Sequence, residues 1–294
     1  MTQANDGVFT LFSNLSEDEQ ELVRGVWDSS KSAYVPQSNF PVGCSLIAEN
    51  EEGRQALFRG CNVETHRFFS TTICAERNAI TTAVAAGYRK LRKLVLVLEK
   101  YQGPGASPCG LCRQMLIEFG AGADLFNMAD RQNNVVRMKV ADLLPKASGP
   151  VLPFESLSRE TRRRVRRCVS LQEHSYAPYS KRLKDGAILV ATNNKGRTRE
   201  FGGAMIENAS YGGTGMAGCA AMHAAHTLGF VHDVTLFHTV ADLQGANPIE
   251  GEVLQVLREF GLRARVLLIG PDRSVVHSSI EELLPDSFGP QSLG

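Results

Sequence analysis

The sequence predicts an α/β fold, a three-layer α/β/α sandwich that is present twice in one chain. Two observations carry this. Short apolar runs of strand length alternate with longer segments of helical periodicity. A series of sequence words also recurs, in the same order, about 142 residues further on. Leu15-Ser16 returns as Leu157-Ser158, Ala33-Tyr34-Val35-Pro36-Gln37-Ser38 as Ser175-Tyr176-Ala177-Pro178-Tyr179-Ser180, and Gly60-Cys61-Asn62-Val63-Glu64 as Gly203-Ala204-Met205-Ile206-Glu207. Cys74-Ala75 matches Cys219-Ala220, Glu118-Phe119-Gly120 matches Glu259-Phe260-Gly261, and Leu143-Leu144-Pro145 matches Leu283-Leu284-Pro285. Copies of about 130 residues are far longer than a solenoid unit. The chain therefore reads as two duplicated domains, 1–150 and 151–294, with residues 145–158 as the linker.

Within the first copy the elements follow in order. Residues 16–32 form a helix opened by a Ser16…Glu19 capping box. Residues 42–48 and 56–63 are apolar strands. Residues 74–86 form a helix with Ala75, Ala79, Ile80, Ala83 and Val84 on one side and Gly87 as its stop. A buried strand covers 94–98, and a helix follows Pro108 over 109–119, ending at Gly120. Residues 135–140 close the copy as a strand. In the second copy the run Arg162-Arg163-Arg164-Val165-Arg166-Arg167 falls on the first helix, with Val165 and Cys168 in the places of Val23 and Val26. It reads as a solvated helix face with its apolar residues turned inward.

Composition bounds the function. The chain is 43% hydrophobic and carries a net charge of +1, so no basic excess points to a polynucleotide. No apolar run approaches a membrane span. The first ten residues lack the positive start and apolar core of a secretory signal, which makes the cytoplasm the expected compartment. Seven cysteines, an odd number, argue against a disulfide framework and for metal ligation.

Two cysteine clusters stand out, Cys74-Ala75-Glu76 and Pro108-Cys109-Gly110-Leu111-Cys112. Each opens a predicted helix, where free N–H groups and the dipole favour thiolate. Cys74, Cys109 and Cys112 make three ligands and leave one position open, the catalytic rather than the structural arrangement for zinc. One Zn²⁺ per chain is expected. Arg77 is placed to hydrogen-bond the thiolates and offset their charge, and Glu76 to overhang the open position as a proton carrier. His66, the sole histidine of the first copy, is not expected as a fourth ligand.

These motifs resemble the cytidine deaminase family. The resemblance rests on Phe40-Pro41-Val42-Gly43-Cys44, Gly60-Cys61-Asn62-Val63-Glu64, Cys74-Ala75-Glu76-Arg77-Asn78-Ala79-Ile80 and Pro108-Cys109-Gly110-Leu111-Cys112-Arg113-Gln114, and covers nearly all of residues 15–150. It implies a mixed sheet and hydrolytic deamination of cytidine and deoxycytidine to uridine and deoxyuridine, with release of ammonia, in pyrimidine salvage. The implied chemistry is a zinc-activated water and a glutamate proton shuttle, Glu76. It further implies that Phe40 lines the pyrimidine pocket, that the backbone at Ala75 meets the base edge, and that Asn62 and Glu64 bind the ribose 3′-hydroxyl. A polynucleotide deaminase and an inactive zinc-binding interaction protein are the rival readings. The first needs a positive channel, and the second leaves an intact Glu76 without purpose.

The second copy has Cys219-Ala220-Ala221 aligned with Cys74-Ala75-Glu76, and Pro248-Ile249-Glu250-Gly251-Glu252 in place of the Cys-x-x-Cys segment. It is expected to be degenerate and non-catalytic. Cys219, His223 and His226 share helical spacing but read as one core thiol and two ordinary histidines. The second copy keeps Glu207-Asn208-Ala209-Ser210-Tyr211, which resembles a segment that family tetramers send into a neighbour's site; the first copy has Thr65-His66-Arg67-Phe68 there. It also keeps Phe288, where the first copy has Ser148. Ala209, Tyr211 and Phe288 are therefore candidates for completing the pocket. The expected partners are a nucleoside substrate and a second copy of the chain, as a homodimer imitating the tetramer, with neither nucleic acid nor membrane.

Overall fold

In the computed structural model, residues 7–289 are described, apart from 66–70, 101–106, 129, 181–183, 244 and 246–247. The chain divides into two units, Met1–Leu144 with Pro285–Gly294, and Pro145–Leu284.

The first unit begins with β1 (Val8–Thr10) and α1 (Glu17–Lys31). The Ser16 side chain accepts from Glu19 N at 3.4 Å, and the Glu19 carboxylate accepts from Ser16 N at 3.1 Å, completing the expected capping box. There follow β2 (Val42–Glu49), β3 (Gln55–Cys61), α2 (Ala75–Ala85), β4 (Lys90–Leu98), α3 (Gly110–Gly120), β5 (Asp124–Met128) and β6 (Val135–Lys139). The strands order as β1-β6-β5-β4-β2-β3. Within this sheet only β4 and β5 run parallel among the described strands, joined across α3, so the sheet is mixed.

Alternation along β4 builds the two cores. Leu94, Leu96 and Leu98 face α2 and α3, where they meet Ala79, Ile80, Ala83 and Leu116. Val95 and Val97 face α1, with Leu22, Val23, Val26 and Phe126. The sheet thus has helices on both faces, and the three-layer expectation holds. Gly60 lets α2 lie directly on β3, since a Cβ there would come within 2.4 Å of Ala79 N.

The second unit repeats this plan with β7 (Val151–Leu152), α4 (Arg159–Glu173), β8 (Gly186–Asn193), β9 (Thr198–Ala204), α5 (Ala217–Thr227), β10 (Phe230–Thr239), α6 (Gly251–Arg258), β11 (Arg265–Ile269), β12 (Val275–Ser279) and α7 (Ile280–Leu283). Its strand order, β7-β12-β11-β10-β8-β9, reproduces the first, again with one parallel pair, β10 and β11. Val165 and Cys168 are buried, while Arg163, Arg164 and Arg167 of the basic run all pair with Glu200 on β9.

Four details depart from the sequence reading. β4 starts at Lys90 rather than residue 94, because Lys90 and Arg92 are held by Glu49 and Lys93 by Glu19, so cations stand inside a strand. β5 was not expected at all. Residues 145–158 are more than a linker, since Val151–Leu152 pairs with β12. Most consequential, the helix pairing shifts by one turn. Gly203 lies under Ala217 as Gly60 lies under Ala75, and the helix caps are Met216 and Cys74. Met216 therefore stands in the place of Cys74, and Gly218 in that of Glu76. The shared Cys-Ala word at residue 219 is a coincidence of two alanine-rich helices.

Candidate active site

In open α/β sheets, ligands bind beyond the carboxyl ends of parallel strands, here β4 and β5. The chain brings two helix starts together. Cys74 caps α2 and Cys109 caps α3, both with extended backbone, and Cys112 lies in the first turn of α3. The sulfurs of Cys74 and Cys109 are 3.8 Å apart, those of Cys109 and Cys112 are 3.5 Å apart, and all three lie within 4.8 Å of one another. Tetrahedral thiolates around zinc, at about 2.3 Å each, sit about 3.8 Å from each other. The donor set and its spacing therefore fit a zinc ion.

The electrostatics follow from the crowding of three sulfurs. Hydrogen bonding with Cys112 and Cys74 holds Cys109 well below the usual thiol range. Its partners go the other way, with Cys74 pushed up to about 11 by its contact with Cys109. A cation is what would let all three ionise together. Arg77 stands beside them, its Nη2 4.0 Å from the Cys74 sulfur and donating to Thr72 O at 2.9 Å. Glu76, in the first turn of α2, is 3% exposed. Burial, and then the charge of Cys74, push its carboxyl up to about 7, near the value that suits an acid–base group at neutral pH.

The residues expected to meet the substrate lie on and around the segment before β2. Phe40 is 7% exposed and its ring meets that of Phe288 edge-on, with centroids 5.9 Å apart. Phe288 thus lies with the first unit of its own chain. Asn62 is tied at both ends of its amide, accepting from Val42 N at 2.8 Å and donating to Phe40 O at 2.9 Å. Glu64 accepts from Gln37 N at 3.0 Å and Ser38 N at 3.2 Å, and from the Ser38 hydroxyl. Both residues brace the loop that carries Phe40. Glu207 makes the matching contacts to Tyr179 N and Ser180 N in the second unit. Ala75 is fully buried at the start of α2. Ala209 and Tyr211 are exposed on the second unit, Tyr211 by 62%. His66 and residues 66–68 of the segment it belongs to lie outside the described residues.

One contributor escaped the sequence reading. Arg113 is fully buried, and its guanidinium donates to Pro108 O at 2.7 Å, Leu143 O at 2.7 Å and Ser107 Oγ at 3.0 Å. Burial lowers its pKa to about 10, which leaves it charged at neutral pH. It anchors the turn that delivers Cys109. The available signal was helical spacing, since Cys109, Cys112, Arg113 and Leu116 share one face.

In the second unit the corresponding positions are Met216, Gly218, Glu250 as the cap of α6, and Val253 one turn on. Cys219 is buried in α5, whereas His223 and His226 are exposed. No helix among the described residues is long and apolar enough to cross a membrane.

Comparison with known proteins agrees with this geometry. The family model for the cytidine and deoxycytidylate deaminase zinc-binding region matches residues 16–128. A cytidine deaminase of Sporosarcina psychrophila is 38% identical over 130 residues, covering 44% of this chain and 90% of that protein. One from Mycobacterium tuberculosis is 34% identical over 142 residues, covering 48% of this chain and 95% of the relative. The crystal structure of a cytidine deaminase from Burkholderia pseudomallei matches at 36% identity and a TM-score of 0.38, covering 45% of this chain and 98% of that one. With identity at that level along nine-tenths of a relative, this chain belongs to the cytidine deaminase family of zinc-dependent hydrolases.

Proposed function

We propose that the first unit hydrolyses cytidine and deoxycytidine to uridine and deoxyuridine with release of ammonia, a step of pyrimidine salvage in the cytoplasm, and that the second unit is non-catalytic. The observation that carries this reading is the convergence of three thiols and a buried glutamate between two helix starts. Cys74, Cys109 and Cys112 would hold the zinc. When bound, it supplies the Lewis acidity that makes a water nucleophilic near neutral pH.

The chain's own groups do the rest. Glu76 takes a proton from the attacking water and delivers it to N3 of the pyrimidine; it then takes the proton of the hydroxyl added at C4 and delivers it to the amino group, which leaves as ammonia as the C4 carbonyl forms. Phe40 and Phe288 form an apolar wall for the base, and the backbone at Ala75 meets its edge. Asn62 and Glu64 hold the ribose 3′-hydroxyl with the hydrogen-bonding capacity left over from bracing the 37–42 loop. Arg77 steadies the thiolates and Arg113 fixes the turn before Cys109. The second unit keeps none of the thiol ligands and no counterpart of Glu76, which supports its non-catalytic assignment.

Incubation with cytidine should lower the absorbance on the long-wavelength side of the cytosine band, leaving the spectrum of uridine, and release one ammonia per nucleoside. A folded, zinc-loaded chain that leaves the absorbance unchanged would overturn the reading.

The proposed assembly is a homodimer of two-unit chains. Tyr176, Tyr179, Ile206 and Tyr211 are each at least half exposed on the second unit, and large exposed apolar side chains mark interaction surfaces when they are contiguous. A second copy of the chain would cover them and bring Ala209 and Tyr211 to the partner's pocket.

A further inference from the structure

The second unit has no counterpart of the thiol site, but it gathers another set of ligand-type side chains. Asp185, just before β8, His238 on β10 and Glu250, the cap of α6, each offer one ligand atom within 4.8 Å of the others. Asp185 is 5% and His238 1% exposed, while Glu250 is partly buried. Asp185 Oδ2, His238 Nε2 and Glu250 Oε2 are buried, and none has a hydrogen-bond partner among the described residues.

The imidazole shows what these atoms require. His238 Nδ1 lies 2.7 Å from Thr239 O, so Nδ1 carries the hydrogen and Nε2 presents a bare lone pair. Burial and the neighbouring Glu250 push the Asp185 carboxyl up to about 8, so without a metal ion a proton has to sit between these carboxyl groups, and a single proton cannot also reach His238 Nε2. Buried acceptors left unpaired are costly, and a cation is the group that satisfies all three at once. A histidine whose other nitrogen donates to a backbone carbonyl is also how proteins orient metal-bound imidazoles.

The three residues occupy positions that hold two apolar side chains and one thiol in the first unit. Gly43 and Gly186 pack alike against α1 and α4, which sets Asp185 against Val42 of the first unit. Cys44 pairs with Leu96, and Ala187 pairs with His238, so His238 replaces Leu96. Glu250 replaces Cys109 as a helix cap. The space above them has been refitted as well. A Cβ on Gly218, the counterpart of Glu76, would lie 2.4 Å from Val253 Cγ1 and 3.3 Å from His238 Cδ2. The room that the glutamate takes in one unit is filled by the new cluster's imidazole and Val253 in the other.

We propose that Asp185, His238 and Glu250 bind a divalent transition-metal ion, Zn²⁺ or Mn²⁺, at a second site that is separate from the three thiols. One imidazole and two carboxylates suit either ion, and unlike the thiolate set they do not select strongly for zinc. The proposal adds an ion to the one zinc per chain expected from the sequence. It is independent of the reaction assigned to the first unit.

The test uses the full chain with its thiolate zinc in place. Mn²⁺ is titrated in, and the free ion is followed by its electron paramagnetic resonance signal. One Mn²⁺ should bind per chain, and Zn²⁺ should displace it. A mercurial reagent, which attacks thiolates, should release the first-unit zinc and leave the bound Mn²⁺ where it is. His238→Ala should weaken Mn²⁺ binding at least tenfold, and Glu250→Gln, at a partly exposed position where folding is less at risk, should do the same. Both should keep their thiolate zinc, and circular dichroism should confirm that each variant is folded. The proposal is overturned if neither Mn²⁺ nor Zn²⁺ binds saturably outside the thiols. It is equally overturned if the folded variants bind as the wild type does.

Discussion

The ring of Phe288 meets the ring of Phe40 at 67° and 5.9 Å, although the two stand at opposite ends of the sequence. Phe40 immediately precedes β2 of the first unit, and Phe288 follows the last helix of the second. The contact makes the end of the chain part of the apolar cluster beneath α2. An edge-to-face pair of this kind contributes about 0.5–1.5 kcal/mol beyond its buried area. Phe288→Ala should therefore raise the KM for cytidine up to about tenfold while kcat falls less, with Phe288→Leu recovering part of the loss. Unchanged steady-state kinetics would place the pair outside the pocket.

Glu76→Gln keeps the size and burial of the side chain and removes its proton. Zinc content and nucleoside binding should persist while kcat drops by at least about 10²–10⁴, the range of acid–base catalysis alone. Single-turnover measurement with zinc analysis on the same sample checks this. A variant retaining a tenth of the wild-type rate would mean that another group moves the protons.

The thiol cluster predicts where the first-unit metal goes when ligands are lost. A mercurial titration should release one zinc per chain, read with a chromogenic chelator, and Cys109→Ser should release none. Arg113→Leu should weaken zinc retention as well, because it frees the turn from Pro108 to Cys109 and leaves three acceptors unpaired. Full zinc in Cys109→Ser would remove that thiol from the ligand set.

Asn62 and Glu64 have two jobs to separate, bracing a loop and holding a sugar. Asn62→Ala and Glu64→Ala should each cost about 1–3 kcal/mol in kcat/KM for cytidine. With 3′-deoxycytidine most of the Asn62 loss should disappear, whereas part of the Glu64 loss should remain. Glu64 also fixes Gln37 N and Ser38 N, and that duty does not depend on the substrate. Equal losses on both substrates would make the two residues purely structural.

Subunit mixing distinguishes contributions within a chain from those between chains. Inactive Glu76→Gln chains mixed with Tyr211→Ala chains should regain activity once subunits exchange, because one site of each heterodimer is whole. The same mixture made with Phe288→Ala should show no gain over the residual activity of Phe288→Ala alone, because Phe288 serves the pocket of its own chain. Rescue in the second mixture, or a fully active monomer in solution, would refute this arrangement.

The chemistry was easier to see in the sequence than the geometry around it. Ser16 and Glu19 announced α1 because a capping box is local, and Cys74, Cys109 and Cys112 announced the metal site because ligand spacing is local too. β4 was read short because Lys90, Arg92 and Lys93 have their partners on β2 and α1, beyond any window of sequence. β5 was missed because Asp124 and Asn127 interrupt a short run that is buried on both faces and so shows no alternation. The word Cys219-Ala220 misled because one helical turn of offset cannot be seen without the glycine that each helix rests on. The buried triad in the second unit was invisible for a similar reason, since its three residues come from three elements and follow no motif.

The contact between Phe40 and Phe288 also bears on how such a gene can evolve. A duplicated domain is ordinarily dispensable, because deleting one copy restores the ancestor. Here the closing residues of one copy pack with the other, so a deletion that trims the second copy also removes the packing partner of Phe40. The duplication has become a one-way step: the second unit can lose its chemistry, but selection still has to carry the stretch of chain that ends at Phe288.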